Sequence, residues 1–307
     1  MMVASRIKRK RRIFTVGEVA PLISFRKLFR RVALMSGHRF SRCRLSFFRF
    51  PDCASRSQNA ICDIHMNSLM MGALMMSLFD AGVSAACNSS SGAGDYVVLL
   101  HGLGRTPLSM KRIEWTLQKQ NYCVINVGYP STRVSIQHAA DDWLDGVLKN
   151  RVADSSVKIH FVCHSLGGIV LRQYLSNHEI PKLGRVVMLA PPNHGSELAE
   201  RWRDNCFYRL VTGPAGQQLG TSECSVPNRL GSIDFELGVI AGDRSLNPLF
   251  SSWIPGPDDG KVSVRSARIS GADFLLVHHS HTWMAWSSQV NLAIAQFLRA
   301  GHFDCDN

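Results

Sequence analysis

Several features are missing from this chain of 307 residues, and each absence excludes a class of protein. There is no CxxC pair and no cysteine–histidine spacing of the kind that holds structural zinc. No apolar run reaches the roughly 20 residues that a membrane-spanning helix needs, which excludes a multi-span membrane protein. Only 19% of the residues are charged and 45% are apolar. This globular composition excludes a wholly disordered or collagen-like chain.

Acidic residues are scarce near the N-terminus. Residues 1–65 hold three acids (Glu18, Asp52 and Asp63) against 15 lysines and arginines, whereas the rest of the chain holds 20 of each sign. The positive charge therefore belongs to an N-terminal arm, and the body shows no signal for binding nucleic acid. We interpret residues 1–65 as a basic, disordered extension or as upstream sequence that the mature protein lacks. The alternative is a targeting segment that contacts an anionic membrane surface.

Residues 66–94 have the composition of a signal peptide followed by a linker. The run Met66–Phe79 suits the apolar core of a signal peptide, and the small residues before Cys87 suit a cleavage site, with Cys87 itself a hint of lipoprotein processing. Two features argue against export: the run begins far into the chain, and no lysine or arginine lies between Arg56 and Met66. We expect export through residues 66–86, and a cytoplasmic location if that segment is not a signal. Residues 88–94 form a flexible linker by composition.

Residues 95–307 alternate between short apolar runs and amphipathic stretches. This alternation predicts an α/β domain, with a mostly parallel central sheet flanked by helices and right-handed crossovers. Strands are expected at residues 96–100, 123–129, 158–163, 185–190, 235–241 and 274–278. Helices are expected at about residues 108–120, 136–150, 169–177 and 288–298.

A small cap-like insertion, about residues 197–234, separates the fourth and fifth predicted strands. Its aromatic residues, which include Trp202 and Tyr208, predict either an apolar lid over a binding site or the core of a small helical subdomain. Cys206 and Cys224 lie in the same insertion and could form a disulfide if the protein is exported.

Ser165 is the first candidate for catalysis. The surrounding sequence predicts a strand, a sharp turn and a helix, with Ser165 at the apex of the turn. Such a nucleophile elbow exposes a serine to its base and requires small residues two positions before and after it. Those residues are Cys163 and Gly167, where glycine is usual at both positions. The alternative is a helix N-terminus that Ser165 merely caps.

A glycine-containing loop, His101-Gly-Leu-Gly104, follows the first strand of the body. Such a loop can turn a backbone N–H toward Ser165. We expect the N–H groups of Leu103 and Leu166 to form an oxyanion hole. We interpret His101 as a residue that supports this loop, because it comes too early in the chain to be the base.

Four motifs, in this order, resemble those of the α/β-hydrolase family, and more narrowly those of bacterial lipases and esterases. They are His101-Gly-Leu-Gly-Arg105, His164-Ser-Leu-Gly-Gly168, Ala190-Pro-Pro-Asn-His-Gly-Ser196, and Asp259-Gly-Lys-Val-Ser-Val264 with Ser280-His-Thr282. The resemblance covers about residues 95–305 and departs from the family pattern at Cys163. It implies an α/β-hydrolase fold with a catalytic serine, acid and histidine in that order along the chain.

The resemblance implies that the base follows the last strand. His278, His279 and His281 are the candidates there. His281 is favoured because it lies in the Ser-His-Thr turn past the strand end, whereas the other two lie in the strand or at its end.

The acid is expected on a loop before that strand. Asp259 matches the acid turn of the family, and Asp258 is its neighbour. Asp243 follows the fifth strand directly and is the rival candidate. The role of the acid is to hold the tautomer of the base and to stabilise its protonated form.

These residues predict a serine hydrolase, a lipase or carboxylesterase that cleaves carboxylic esters through an acyl-enzyme on Ser165. No metal or organic cofactor is required. The expected partner is a small-molecule or lipid ester, and contact with a membrane surface is a further expectation. The alternatives are an acyltransferase or thioesterase on the same fold, and a non-catalytic α/β-hydrolase-like binding protein.

Overall fold

The computed structural model describes residues 94–152 and 157–304. The predictions for the basic arm (1–65) and for the export segment (66–86) lie outside the described residues. Within the described part, the strands form one six-stranded parallel sheet in the order β2-β1-β3-β4-β5-β6. None of the helices in these residues combines the length and apolar character needed to cross a bilayer.

The strands lie close to the predicted apolar runs. In the described residues the strands are β1 (Tyr96–Leu100), β2 (Cys123–Val127), β3 (Ile159–His164), β4 (Leu183–Leu189), β5 (Leu237–Gly242) and β6 (Asp273–Val277). Strands β1, β2, β3 and β5 are buried along their whole length, as expected for parallel strands that helices cover on both faces. Strand β4 is buried over its second half, and the edge strand β6 is mostly half-buried.

Helices fill the connections between the strands and confirm the predicted α/β class. A 3₁₀ turn (Pro107–Met110) leads into α1, and a π-helical stretch (Ala139–Leu144) joins α2 to α3. In the described residues the helices are α1 (Lys111–Gln118), α2 (Ile136–His138), α3 (Asp145–Arg151), α4 (Leu166–Leu175), α5 (Glu197–Trp202), α6 (Cys206–Gln217), α7 (Val226–Arg229), α8 (Pro248–Ser251), α9 (Val264–Ala267) and α10 (Ser288–Ala300).

The sheet separates two hydrophobic cores. Successive side chains of a strand point to opposite faces, so Val98 and Leu100 of β1 pack in one core and Val97 and Leu99 in the other. All four side chains are at most 1% exposed. Burial on both sides fixes the sheet, and with it the loops that leave its carboxyl edge.

The order in which strands are added to the sheet changes direction next to β1. Strand β1 pairs with β2 on one side and with β3 on the other, so the connections after β1 and β3 run to opposite sides of the sheet. Open α/β sheets form a crevice at such a point, beyond the carboxyl ends of the strands. The loop at His101 and the turn at Ser165 leave the sheet at this crevice.

The insertion between β4 and β5 contains the short helices α5, α6 and α7. Helix α6 is kinked at Gly213, which has a φ of 62° and lies too close to Thr132 for any side chain. Tyr208 packs against the core, whereas Leu210 is exposed. Cys206 and Cys224 are both exposed free thiols, so the disulfide considered from the sequence is not formed.

Candidate active site

Ser165 lies in strained backbone between β3 and α4. Its φ of 53° and ψ of −119° belong to a region that residues other than glycine rarely occupy. The backbone around it is held by hydrogen bonds from Ser165 N–H to the Leu189 carbonyl (2.8 Å) and from Gly168 N–H to the Ser165 carbonyl (3.0 Å). The Ser165 side chain makes no capping bond to α4. The alternative interpretation, a serine that merely caps the helix, is therefore wrong.

The neighbours of Ser165 explain why the turn needs small residues. A Cβ atom on Gly167 would lie 2.5 Å from the carbonyl oxygen of Leu100, so only glycine fits there. Cys163 occupies the position where glycine is usual, and its side chain is fully buried in the core. Burial raises the pKa of the Cys163 thiol, which keeps it protonated and removes it as a competing nucleophile. The departure from the family pattern is accommodated by packing.

His281 and Asp259 form a buried hydrogen-bonded pair. Nδ1 of His281 lies 2.7 Å from Oδ2 of Asp259, and the two side chains are 5% and 1% exposed. The other carboxylate oxygen accepts hydrogen bonds from the N–H groups of Lys261 and Val262. Because a carboxylate only accepts, Nδ1 of His281 carries the proton, and Nε2 is left with the lone pair that a base needs.

The rival acids have other partners. Asp258 accepts hydrogen bonds from the Ser251 hydroxyl (2.9 Å) and the Gly260 N–H (2.7 Å), both within its own loop region. Asp243 bonds to Nδ1 of His278 at 2.8 Å on the exposed surface. The structure therefore brings His281 to Asp259 rather than to Asp243.

The remaining candidate base after β6 is His279, which bonds through Nε2 to the hydroxyl of Ser287 at 2.8 Å. That contact ties it to the N-terminus of α10, where Ser287 is the capping residue. The ring of His279 is thus engaged in a local structural contact.

His164 connects the elbow to the segment that contains His281. It directly precedes Ser165, its Nε2 lies 3.0 Å from the main-chain oxygen of His281, and the two rings are 4.9 Å apart between centroids. Among the described residues no hydrogen bond joins the Ser165 hydroxyl to His281. Catalytic hydrogen bonds are often long without substrate and shorten only when it binds. The structure brings the two side chains into one region and leaves both the hydroxyl and Nε2 available.

The loop after β1 lies directly against the elbow. A Cβ atom on Gly102 would be 3.2 Å from Cβ of Ser165 and 3.1 Å from Nδ1 of His164. Leu103 follows in this loop, and Leu166 begins α4, where backbone N–H groups have no partner within the helix. Leu103 thus directly follows the glycine that contacts the elbow, and Leu166 directly follows Ser165; their role as oxyanion donors stays a prediction.

His101 supports this loop through contacts with Tyr129. Its ring stacks on Tyr129 at 4.3 Å, and the Tyr129 hydroxyl donates a hydrogen bond of 2.6 Å to the His101 carbonyl. Burial lowers the pKa of His101 to about 4, so the ring is neutral at ordinary pH. These contacts are those of a supporting residue, as expected from its position in the chain.

Three contacts of the site were not expected from the sequence. Nη2 of Arg105 donates to the Thr282 hydroxyl at 3.0 Å, which ties the loop after β1 to the turn that contains His281. The contacts of Tyr129 and His164 are the other two. Arg105, His164 and Thr282 all lie inside the motifs noted above, but no spacing along the chain indicates that they meet. Among the described residues, no group of three or more potential ligands is placed to hold a metal ion.

A parallel α/β sheet with a strained serine at its carboxyl edge, next to a buried histidine–aspartate pair, defines the class of the α/β hydrolases. The alpha/beta hydrolase family model matches residues 97–305, which is most of the chain. The protein therefore belongs to the alpha/beta hydrolase family.

Solved structures similar to this chain include lipases and esterases. A Bacillus licheniformis lipase in its propeptide form has a TM-score of 0.56 and 21% identity, covering 73% of this chain and 54% of that one. A metagenomic carboxyl esterase has a TM-score of 0.56 and 17% identity, covering 72% and 79%. Aspergillus fumigatus lipase B has a TM-score of 0.55 and 13% identity, covering 72% and 56%. At these identities the likeness shows the fold. A search of curated protein sequences found no match.

Proposed function

We propose that this protein is a serine hydrolase of carboxylic esters, with Ser165 as nucleophile, His281 as base and Asp259 as acid. The observation that supports it most is a strained, non-capping serine whose preceding residue, His164, contacts a histidine with its proton fixed on Nδ1. Backbone strain in a non-glycine residue is costly and is concentrated at functional sites. If Ser165 is the nucleophile, the strained turn exposes its hydroxyl to the base and to the substrate.

In the first half of the reaction, the Ser165 oxygen attacks the acyl carbon while Nε2 of His281 takes the hydroxyl proton. The negative charge on the former carbonyl oxygen is stabilised by the N–H groups of Leu103 and Leu166. Asp259 holds the imidazole in place and stabilises its positive charge without taking the proton. His281 then gives the proton to the departing alcohol, which leaves an acyl-enzyme on Ser165.

In the second half, water attacks the acyl-enzyme. His281 takes a proton from the water and returns it to the Ser165 oxygen as the acid product leaves. Both halves use the same base and the same oxyanion donors. The residues named above therefore suffice for hydrolysis, with no step that requires a metal or an organic cofactor.

We assign acyl or lipid esters as the substrate class. Leu210 on α6 is 79% exposed, and Trp283, which follows the turn of His281, is 59% exposed. Exposed apolar side chains in the insertion between β4 and β5 and in the segment after β6 suit an apolar acyl chain. Export of the protein and contact with a membrane surface remain predictions that depend on residues 1–93.

Turnover of p-nitrophenyl esters tests the proposal. The variant Ser165→Ala should lose about 10⁴-fold or more in kcat, because no nucleophile remains. Ser176→Ala is the matched control: Ser176 ends the same helix at its far end and bonds to the Gln173 carbonyl. It should keep the native rate. A Ser165→Ala variant that turns over as fast as the native protein would contradict the proposal.

Comparison of ester chain lengths then sharpens the substrate class. A rate that rises with acyl length supports a lipase, and a rate that falls supports a short-chain carboxylesterase. Release of acid product, rather than transfer of the acyl group to an added alcohol or thiol, separates a hydrolase from an acyltransferase.

A further inference from the structure

His164 is a buried histidine that the reaction described above does not use. It is 3% exposed, ends β3 and directly precedes Ser165. One ring nitrogen, Nε2, lies 3.0 Å from the main-chain oxygen of His281. The other, Nδ1, is fully buried and has no hydrogen-bond partner among the described residues.

The tautomer of His164 follows from these contacts. A carbonyl oxygen only accepts, so Nε2 of His164 carries the proton and donates a hydrogen bond to the main-chain oxygen of His281. A neutral imidazole has a single N–H, so Nδ1 is an acceptor, and no donor among the described residues bonds to it. The ring of His164 therefore makes one hydrogen bond, and its acceptor is the main-chain oxygen of His281.

The ring also lies where three segments of the site meet. Its own backbone continues into Ser165, its Nδ1 is close to Gly102 in the loop after β1, and its face lies beside the His281 ring. A shift of the ring would move the elbow, the oxyanion loop and the base relative to one another.

An unpaired acceptor in the core needs an explanation, because burial of a polar group without a partner is unfavourable. Leucine or methionine would fill a similar volume without that cost. What histidine supplies, and those residues cannot, is the Nε2–H donor at the end of a rigid ring. The benefit must therefore come from the bond to His281.

We propose that His164 is a positioning residue: its Nε2–H holds the main-chain carbonyl of His281 and thereby sets the position of the His281 ring relative to the Ser165 hydroxyl. The inference rests on the proposed function, since it concerns the same base and nucleophile. Small displacements of reacting groups are enough to slow a reaction by up to about 10²-fold.

The charge state of His164 fits this role. Burial lowers its pKa well below 6.5, and the nearby His281, Arg105 and Lys261 lower it further. The ring is therefore neutral when His281 becomes positively charged during the reaction. A neutral donor holds the base segment without repelling the imidazolium.

Two variants of His164 separate the donor from the packing. Glutamine can place its Nε2–H2 group near the position of the histidine Nε2, whereas leucine fills the space and donates nothing. His160→Leu is the matched control, because His160 is a buried histidine at the opposite end of the same strand, bonded to the Arg185 N–H. It lies outside the site.

The measurements are kcat and KM on a p-nitrophenyl ester and the rate at which a fluorophosphonate labels Ser165, with thermal unfolding to monitor folding. We expect His164→Leu to lower kcat and the labelling rate by about 10- to 100-fold with KM unchanged within about twofold. His164→Gln should recover most of the loss. His160→Leu should lose stability but keep its kcat per folded molecule.

Native kcat in His164→Leu would overturn the proposal, and so would a His164→Gln variant as slow as His164→Leu. If His164→Leu does not fold, His164→Met replaces it as the variant without a donor, and the comparison with His164→Gln decides. If the native protein itself is not labelled at Ser165, the proposed function fails, which is distinct from labelling that is insensitive to His164.

Discussion

Two histidine–aspartate pairs join the segment after β5 to the segment after β6, and they differ in burial far more than in distance. His281 and Asp259 are 2.7 Å apart with side chains 5% and 1% exposed, and His278 and Asp243 are 2.8 Å apart with side chains 73% and 30% exposed. His281 is also bonded to His164, next to the nucleophile, and no such bond joins His278 to the elbow among the described residues. A short hydrogen bond alone does not identify a catalytic pair.

Burial changes what each pair does. Charges interact more strongly where water is excluded, so in the proposed mechanism Asp259 strongly stabilises the positive charge on His281. Water and salt screen the exposed pair of His278 and Asp243, and exposed pairs contribute little to stability. The first and the last of the following four predictions test this difference directly, and the other two concern the packing of the loop after β1, which lies against the elbow.

The largest expected effect is on catalysis by the buried pair. Asp259→Asn keeps the shape of the side chain but lets the imidazole adopt the wrong tautomer. We expect kcat to fall about 10³- to 10⁴-fold. The matched variant Asp243→Asn should stay within about twofold of the native rate. Steady-state ester hydrolysis measures both, and the reverse result would make Asp243 the acid while leaving the nucleophile assignment intact.

The next largest effect is the change in the free energy of unfolding with pH. Burial lowers the pKa of His101 from 6.5 to about 4. Between these values the unfolded chain binds a proton that the folded protein does not, so the free energy of unfolding falls as the pH falls from about 6.5 to about 4 and levels off below. The full shift corresponds to about 3 kcal/mol, and His164 adds to it in the same direction, because burial lowers its pKa as well.

Urea unfolding at a series of pH values measures this slope. His101→Gln should remove the part that belongs to His101, whereas Ser176→Ala, which removes no titratable group, should leave the slope in place. An unchanged slope in His101→Gln would show that the buried ring is not the group that titrates.

A smaller effect is expected where the loop after β1 meets the elbow. In Gly102→Ala the added methyl group would press on His164 and Ser165, and the oxyanion donor of Leu103 would move. We expect a loss of about 10- to 100-fold in kcat. Gly146→Ala is the control, because its Cβ would meet open space on α3. It should keep the native rate and gain up to about 1 kcal/mol in the free energy of unfolding. Equal kcat values in Gly102→Ala and Gly146→Ala would contradict the close contact of Gly102 with His164 and Ser165.

The smallest effect is expected for the stability of the exposed pair. His278→Ala should change the free energy of unfolding by less than about 1 kcal/mol, since water replaces the lost partner. Thermal or urea unfolding at low and high salt measures this change. A loss well above that value would mean that the pair is structural and not merely a surface contact.

The parallel sheet could be predicted from the sequence, because parallel strands covered on both faces leave continuous apolar runs. Helix α4 was predicted to begin at Ile169 and begins at Leu166 instead. Gly167 and Gly168 look like loop residues, yet they belong to the helix and are glycines because Leu100 and Met188 approach their backbone. Local pattern does not distinguish these two reasons for glycine.

The partners within the site could not be predicted from local pattern. His164 and His281 are far apart along the chain, and nothing near either residue indicates that they meet. Likewise, the sequence favoured Asp259 through its match to the acid turn of the family but left Asp243 as a rival, because each lies on a loop before the last strand. Burial in the folded protein distinguishes them, and burial depends on how the loops pack together.

The most direct test of the central assignment is to treat the folded protein with a fluorophosphonate and locate the adduct by mass spectrometry of its peptides. The account predicts one adduct, on Ser165, that forms in Ser176→Ala and is absent from Ser165→Ala. A folded native protein that stays unmodified, or an adduct on a different serine, would contradict it.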